Sequence, residues 1–331
     1  MLFNDFSLDQ KTSSVLKQLK GPILIIGAGG FIGANIFSSI LLYRKDVFGL
    51  SRNPKENKRF KSLKLPKNNI LKCDINNPEE LKLVLAKIKP KTIFNLSAYG
   101  AYSKQQDPFK IYQTNFLSTI NLIEELKKYN FNCYIHAGSS SEYGENSNAP
   151  KEDALLTPNS HYAVSKAAVA NALYYYGKVE HLPVIHFRLY AVYGPLEEKD
   201  RLIPTIIKFG EKKKYPSLAS GTITRDFIYT QDVTRAFVFA AKNINKEIFG
   251  EAFNIGTGKK TSIKELAQIA KDVYKIKGVP VFGLREKRRW DHGKAWFANS
   301  TKAKELLGFC AEIDLATGLR KTSEFNKKVK Y

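Results

Sequence analysis

The chain has 331 residues, of which 43% are apolar and 25% charged. That composition supplies a substantial core and excludes a disordered or collagen-like polymer; at about 150 residues per domain it accommodates two domains, or one large α/β domain with an appendage. The 53 Lys and Arg against 31 Asp and Glu give a net charge of +22, mostly as scattered lysine, and no apolar run approaches the roughly 18 residues of a membrane span.

Residues 1–20 read as an N-terminal extension, with Asp5 and Asp9 inside a lysine-dotted amphipathic pattern rather than a secretion leader. From Pro22 a buried strand, Ile23 to Ile26, runs into the glycine-rich turn Gly27-Ala28-Gly29-Gly30-Phe31-Ile32-Gly33 and then a helix to about Leu42. Apolar strand patterns follow at Val47 to Leu50, Ile70 to Leu71, Thr92 to Leu96, Cys133 to His136 and Val184 to Leu189. Helical patterns lie between them at about Pro78 to Ile88, Tyr112 to Tyr129 and Tyr162 to Val179. This alternation predicts a Rossmann-type, doubly wound parallel α/β sheet over 21–190. After Gly194-Pro195 the pattern becomes irregular; 226–256 is expected to return to the sheet, and 191–225 with 257–331 to form a smaller C-terminal cap.

Glycines at 27, 30 and 33 permit a tight turn, close approach of a pyrophosphate and helix-on-strand packing, and the helix behind them offers free N–H groups to phosphate. The second strand ends in Ser51-Arg52 with no acid. A carboxylate there would repel a 2′-phosphate, whereas Ser51 and Arg52 can bind one, so NADP is expected, with NAD the alternative. Asp74 is placed either to meet the adenine or to cap the helix near Pro78. The basic stretch Arg52 to Lys67 has no aromatic platform beyond Phe60 and reads as a solvated loop rather than a nucleic-acid site.

Tyr162 and Lys166 stand one helical turn apart, so phenol and ammonium share a face, and an adjacent cation stabilises a phenolate. Upstream, Ser139 follows a strand, where a hydroxyl can hold a substrate oxygen that gains or loses a proton. The histidines at 136, 161, 181, 186 and 292 have no metal-ligand spacing and are expected in structural or solvent roles. Cys73, Cys133 and Cys310 are too far apart for a disulfide framework or a CxxC metal site, consistent with a reduced, cytoplasmic protein.

With these residues in view the chain resembles the extended short-chain dehydrogenase/reductases, specifically the nucleotide-sugar epimerases, dehydratases and ketoreductases. Further marks are Asn95-Leu96-Ser97-Ala98, Ser139 to Gly144, Arg188 to Pro195, Arg225 to Tyr229, Asp232-Val233 and Phe253 to Gly256. The resemblance implies that Tyr162 is the acid/base, that Lys166 lowers its pKa and binds the nicotinamide ribose, and that Ser139 bonds the sugar C4 oxygen. It implies dinucleotide contacts at Gly27, Gly30, Phe31, Ile32, Gly33, Ser51, Arg52, Asp74, Ile75, Leu96, Ser97 and Ala98. Substrate contacts fall at Ser140, Ser141, Tyr193, Arg225 and Arg289, with Arg288 the alternative second cation. It further implies a homodimer through the Tyr162 helix and the one from about Tyr112, a nucleoside-diphosphate sugar as ligand, and no membrane or nucleic-acid partner.

Dehydratases of this family place a carboxylate directly after the hydroxyl residue, where this chain has Ser140 and Ser141; Glu142 comes one residue later. Ala191 stands where many relatives have a substrate-binding Asn. The expected reaction is therefore NADPH-dependent reduction at C4 of a nucleoside-diphosphate 4-keto-6-deoxy sugar. A C4 epimerase with retained cofactor is the alternative, and a 4,6-dehydratase the third.

Overall fold

The computed structural model describes residues 5–102, 104–284 and 295–329. In chain order its helices are α1 (Gln10–Gln18), α2 (Phe31–Leu41), α3 (Lys58–Leu63), α4 (Pro78–Ile88), α5 (Pro108–Tyr112), α6 (Ser118–Leu126) and α7 (His161–Lys178). They continue as α8 (Leu202–Gly210), α9 (Thr230–Asn243), α10 (Ile263–Tyr274), α11 (Thr301–Leu307) and α12 (Leu315–Lys328). The strands are β1 (Ile23–Ile26), β2 (Val47–Ser51), β3 (Ile70–Lys72), β4 (Thr92–Asn95), β5 (Cys133–Ser139) and β6 (Val184–Leu189), then β7 (Ala191–Tyr193), β8 (Thr224–Arg225), β9 (Phe227–Tyr229), β10 (Ala252–Ile255) and β11 (Thr261–Ser262).

Seven strands make one parallel sheet in the order β10-β6-β5-β4-β1-β2-β3. Strand order reverses between β1 and β4, and at that switch point the loops leaving the carboxyl ends diverge and open a crevice. The apolar runs are continuous because both faces are covered, and successive side chains divide between them. Ile23 and Ile25 enter the core beneath α2 and α9, while Leu24 and Ile26 enter the one formed with α4, α6 and α7. The fold is thus the doubly wound α/β sheet that the alternation predicts.

A third core joins α8, α10, β9 and the front of α12. The C-terminal segment does not stay with it. Ala303, Leu307, Phe325 and Val329 pack into the core beneath α2 and α9, so α11 and the end of α12, expected in the cap, rejoin the main sheet. From residue 5 on the N-terminal extension is also structured: Asp9 caps α1 by accepting from Thr12 N (2.8 Å) and approaches Arg235 of α9 at 3.4 Å. Among the described residues no helix is long and apolar enough to cross a membrane, and Cys73, Cys133 and Cys310 are unpaired.

Asp226, fully buried between β8 and β9, ties the cap to the sheet. Its Oδ1 accepts from Thr257 N (2.8 Å), and its Oδ2 accepts from Gly258 N (2.9 Å) and Ala298 N (3.1 Å). Asp226→Ala leaves these donors without an acceptor, at a cost of about 3 kcal/mol by the usual penalty for orphaned buried donors. Denaturant unfolding should show that loss as a lower midpoint with unchanged slope, and a midpoint within error of the parent refutes it.

Candidate active site

The glycine loop sits at the mouth of β1. Gly27 has φ +78°, and a Cβ there would lie 2.8 Å from the Leu96 carbonyl, while one on Gly33 would lie 2.2 Å from the Gly27 carbonyl oxygen. Bare backbone is therefore required where β1, β4 and α2 converge. Gly30 begins α2 with no side-chain cap, leaving the first-turn N–H groups of Phe31 and Ile32 at a positive helix end. That cradle suits a pyrophosphate. Ser51 at the end of β2 is half-buried, Arg52 is exposed, and Ile75 and Ser97 are buried beside the strand ends while Ala98 is exposed. Asp74 accepts from Asn76 N at 3.0 Å, but α4 is capped by Asn77, so Asp74 does not cap that helix.

Across the crevice, α7 begins at a Ser160 cap and projects Tyr162 and Lys166 toward the end of β5. Ser139, the last residue of β5, hydrogen-bonds the Tyr162 phenol. Its Oγ accepts from the Ser141 hydroxyl at 2.8 Å and from Ser141 N at 3.2 Å, which leaves the Ser139 proton for Tyr162. Burial pushes the Tyr162 phenol up to about 12, against the opposing Ser139 bond. Lys166 is 1% exposed; burial lowers its ammonium to about 8, with the Glu142 charge opposing. Its Nζ donates to the Ala137 carbonyl (2.8 Å) and lies 3.3 Å from His136 Nε2 and 6.0 Å from the Tyr162 ring centre. Serine, phenol and ammonium are thus gathered at one strand end. Burial is the largest influence on the phenol.

Other expected contacts turn out differently. Ser141, half-buried, donates its hydroxyl to Ser139. Ser140 is buried and accepts from Trp296 Nε1 at 3.1 Å. Tyr193 is not at the site: its phenol packs against Gly318 and the Asp314 carbonyl in the cap core, where Phe227 and Tyr229 surround its ring. Arg225 stacks on Trp296, 5.0 Å from the ring centre, which places a cation at the cap side of the crevice. Arg288, Arg289, Trp290 and His292 lie outside the described residues. Glu142 turns inward and is fully buried, receiving Ser139 N (2.8 Å), His186 Nε2 (2.9 Å) and Arg188 Nε (2.9 Å). Burial alone would raise its carboxyl, but these partners outweigh it and hold the group ionised. It is therefore committed to the interior and unable to work on a sugar.

Several residues beside the site escape the sequence reading. Arg59, expected in a solvated loop, lies on α3 and donates to the Gly29 carbonyl (3.2 Å), the Leu196 carbonyl (3.0 Å) and Glu198 (2.5 Å). Glu198 also bonds Tyr102, whose ring has Arg201 5.8 Å from its centre. Burial pushes neighbouring Glu197 up to about 8. The Asn57 cap of α3, with Phe60 and Leu63 buried behind it, was the available sign that this basic stretch folds inward. Trp296 carries no spacing signal of its own.

Comparison with known proteins agrees with this geometry. Residues 23–256 match the model of the NAD dependent epimerase/dehydratase family. A UDP-glucose 4-epimerase of Mycolicibacterium smegmatis is 30% identical over 314 residues, covering 91% of this chain and 97% of that protein. A UDP-glucuronate 4-epimerase of Thermodesulfobacterium geofontis is 28% identical, covering 93% and 97%. Among solved structures, the UDP-glucuronic acid 4-epimerase of Bacillus cereus, in complex with UDP-glucuronic acid and NAD, superposes with a TM-score of 0.79 at 28% identity, covering 92% and 99%. A cradle for a dinucleotide, a Ser/Tyr/Lys group facing it and a match spanning most of the chain lead to one conclusion: the chain belongs to the NAD dependent epimerase/dehydratase family.

Proposed function

We propose that the protein is a nucleotide-sugar 4-epimerase that retains its dinucleotide through the catalytic cycle. The observation that carries this reading is the convergence of Ser139, Tyr162 and Lys166 at the end of β5, beside the glycine loop. The relatives named as 4-epimerases of UDP sugars support a UDP-sugar substrate and favour this reading over reduction of a 4-keto-6-deoxy sugar. The inward ion pairs of Glu142 weigh against a dehydratase, which needs a free carboxylate near that hydroxyl.

Ser139 holds the sugar 4-oxygen while Tyr162 Oη takes its proton and later returns it. When bound, the oxidised dinucleotide supplies a hydride acceptor and a positive charge beside the phenol. That charge and the remaining N–H of Lys166 counter the burial that keeps Tyr162 protonated in the free chain. The glycine loop and the first turn of α2 hold the pyrophosphate, and Arg225 with Trp296 meets the nucleotide diphosphate from the cap. Ser51 and Arg52, with no carboxylate at the end of β2, favour NADP being accepted as well as NAD. Phe109, Leu117, Val164 and Tyr175 are exposed apolar residues on α5, α7 and the turn between α5 and α6, and support a homodimer through these helices.

Tyr162→Phe should lower kcat about 10²- to 10⁴-fold in a coupled assay of UDP-sugar interconversion, with UDP-sugar affinity by calorimetry unchanged. Undiminished turnover refutes the assigned role. Mass spectrometry of the heat-denatured protein should recover stoichiometric NAD or NADP, and turnover should proceed with no net change in absorbance of reduced nicotinamide. Stoichiometric consumption of NADPH with a 4-keto sugar would favour the reductase instead. Phe109→Asp should convert a dimer to a monomer in sedimentation velocity, and an unchanged sedimentation coefficient refutes the assigned interface.

A further inference from the structure

Beneath the catalytic group lies a buried array that the mechanism leaves unused. Lys166 is 1% exposed, and two of its donors are taken on the sheet side by the Ala137 carbonyl and by His136 Nε2. An ammonium has no lone pair, so Nε2 is the unprotonated nitrogen and accepts; the ring proton is then on Nδ1. Nδ1 lies 3.2 Å from the Tyr134 hydroxyl, which accepts from Asn95 Nδ2 (2.9 Å) and also bonds Thr119. His136 is therefore oriented from behind, at 0% exposure, with its ring stacked on His186 at 5.5 Å and 8°. Burial holds His136 well below the ordinary imidazole range, so it remains the neutral acceptor.

We propose that His136 is a positioning residue of the active site: its Nε2 fixes the Lys166 ammonium against the end of β5, so that the third N–H remains for the crevice and Lys166 stays charged although buried. This rests on the 4-epimerase reading for its consequence in turnover, but the state of Lys166 is measurable without turnover. Charged and titratable groups around Lys166 are His136 and Tyr134 on β5, His186 and Arg188 on β6, Glu142 in the turn after β5, and Tyr162 on its own helix. Among them His136 is in hydrogen-bond contact with Nζ. Glu142 acts at longer range, its carboxylate already accepting from His186 Nε2 and paired with Arg188.

Two variants separate acceptor from bulk. His136→Phe keeps a planar ring but offers no acceptor; His136→Gln supplies a side-chain oxygen near the position of Nε2. The readout is the Lys166 ionisation midpoint, followed by NMR of protein carrying ¹³Cε-lysine, with the Lys166 signal identified by its absence in Lys166→Met. Losing one hydrogen bond to a charged group should lower the midpoint by about one to two pH units in His136→Phe, and the falling alkaline limb of kcat should move with it. His136→Gln should titrate close to the parent, with KM for the UDP sugar unchanged in both. A parent-like midpoint in folded His136→Phe, or a midpoint in His136→Gln that falls as far as in His136→Phe, overturns the proposal. Failure of the epimerase assay with the NMR result intact would instead count against the proposed reaction.

Discussion

Burying a lysine ammonium at the end of a parallel strand sets the terms for the surrounding structure. An uncompensated buried charge is far too costly to persist, so β5 must present a carbonyl and a ring nitrogen to it, and α7 must be held close enough for the reach. The small residues Ala163 and Ala167 allow α7 that approach, and Asn115 braces it by donating to Ser165 Oγ at 2.8 Å while bonding both backbone groups of Tyr99. The same strand end carries Ser139, so the geometry that solvates Lys166 also delivers the hydroxyl to the phenol. Glu142 and Arg188, with His186 bonded to the same carboxylate, form a second buried polar group beside it. Breaking either group strands an ion, which couples the fold to the site.

What the sequence disclosed and what it concealed differ by range. The glycine loop, the alternation of strands and helices, and the Tyr162/Lys166 pair are local patterns whose spacing already states their geometry. Ser139 was legible because it ends a strand. Tyr193 misled because its motif says nothing of its distant partner: β7 turns its phenol into a hole left by Gly318 far along the chain. Glu142 was ambiguous from spacing alone; its partners, His186 and Arg188, come from another strand and decide the matter. Arg59 was hidden among lysines of the same charge, and the carbonyls that order it come from Gly29 and Leu196. Local rules do not reach such pairings.

The crevice is walled from both sides by residues that share partners. On the sheet side, Arg59 links the glycine loop to the segment after β7 through Leu196 and Glu198, and Tyr102 joins from the loop after β4. From the cap, Trp296 bonds Ser140 and carries Arg225 on its face. Ser140, beside Ser139, thus anchors the cap wall through its bond from Trp296.

Helix α12 belongs to two cores at once. Leu319 sits among the cap's side chains, and Phe325 sits with Phe6 against the main sheet, the two rings 5.5 Å apart. A rod anchored at both ends resists swinging: rotation of the cap as one body would have to bend this helix or withdraw Phe325 from its seat. The cap is thereby held against the main sheet as one packed body rather than as a half free to swing like a clamshell.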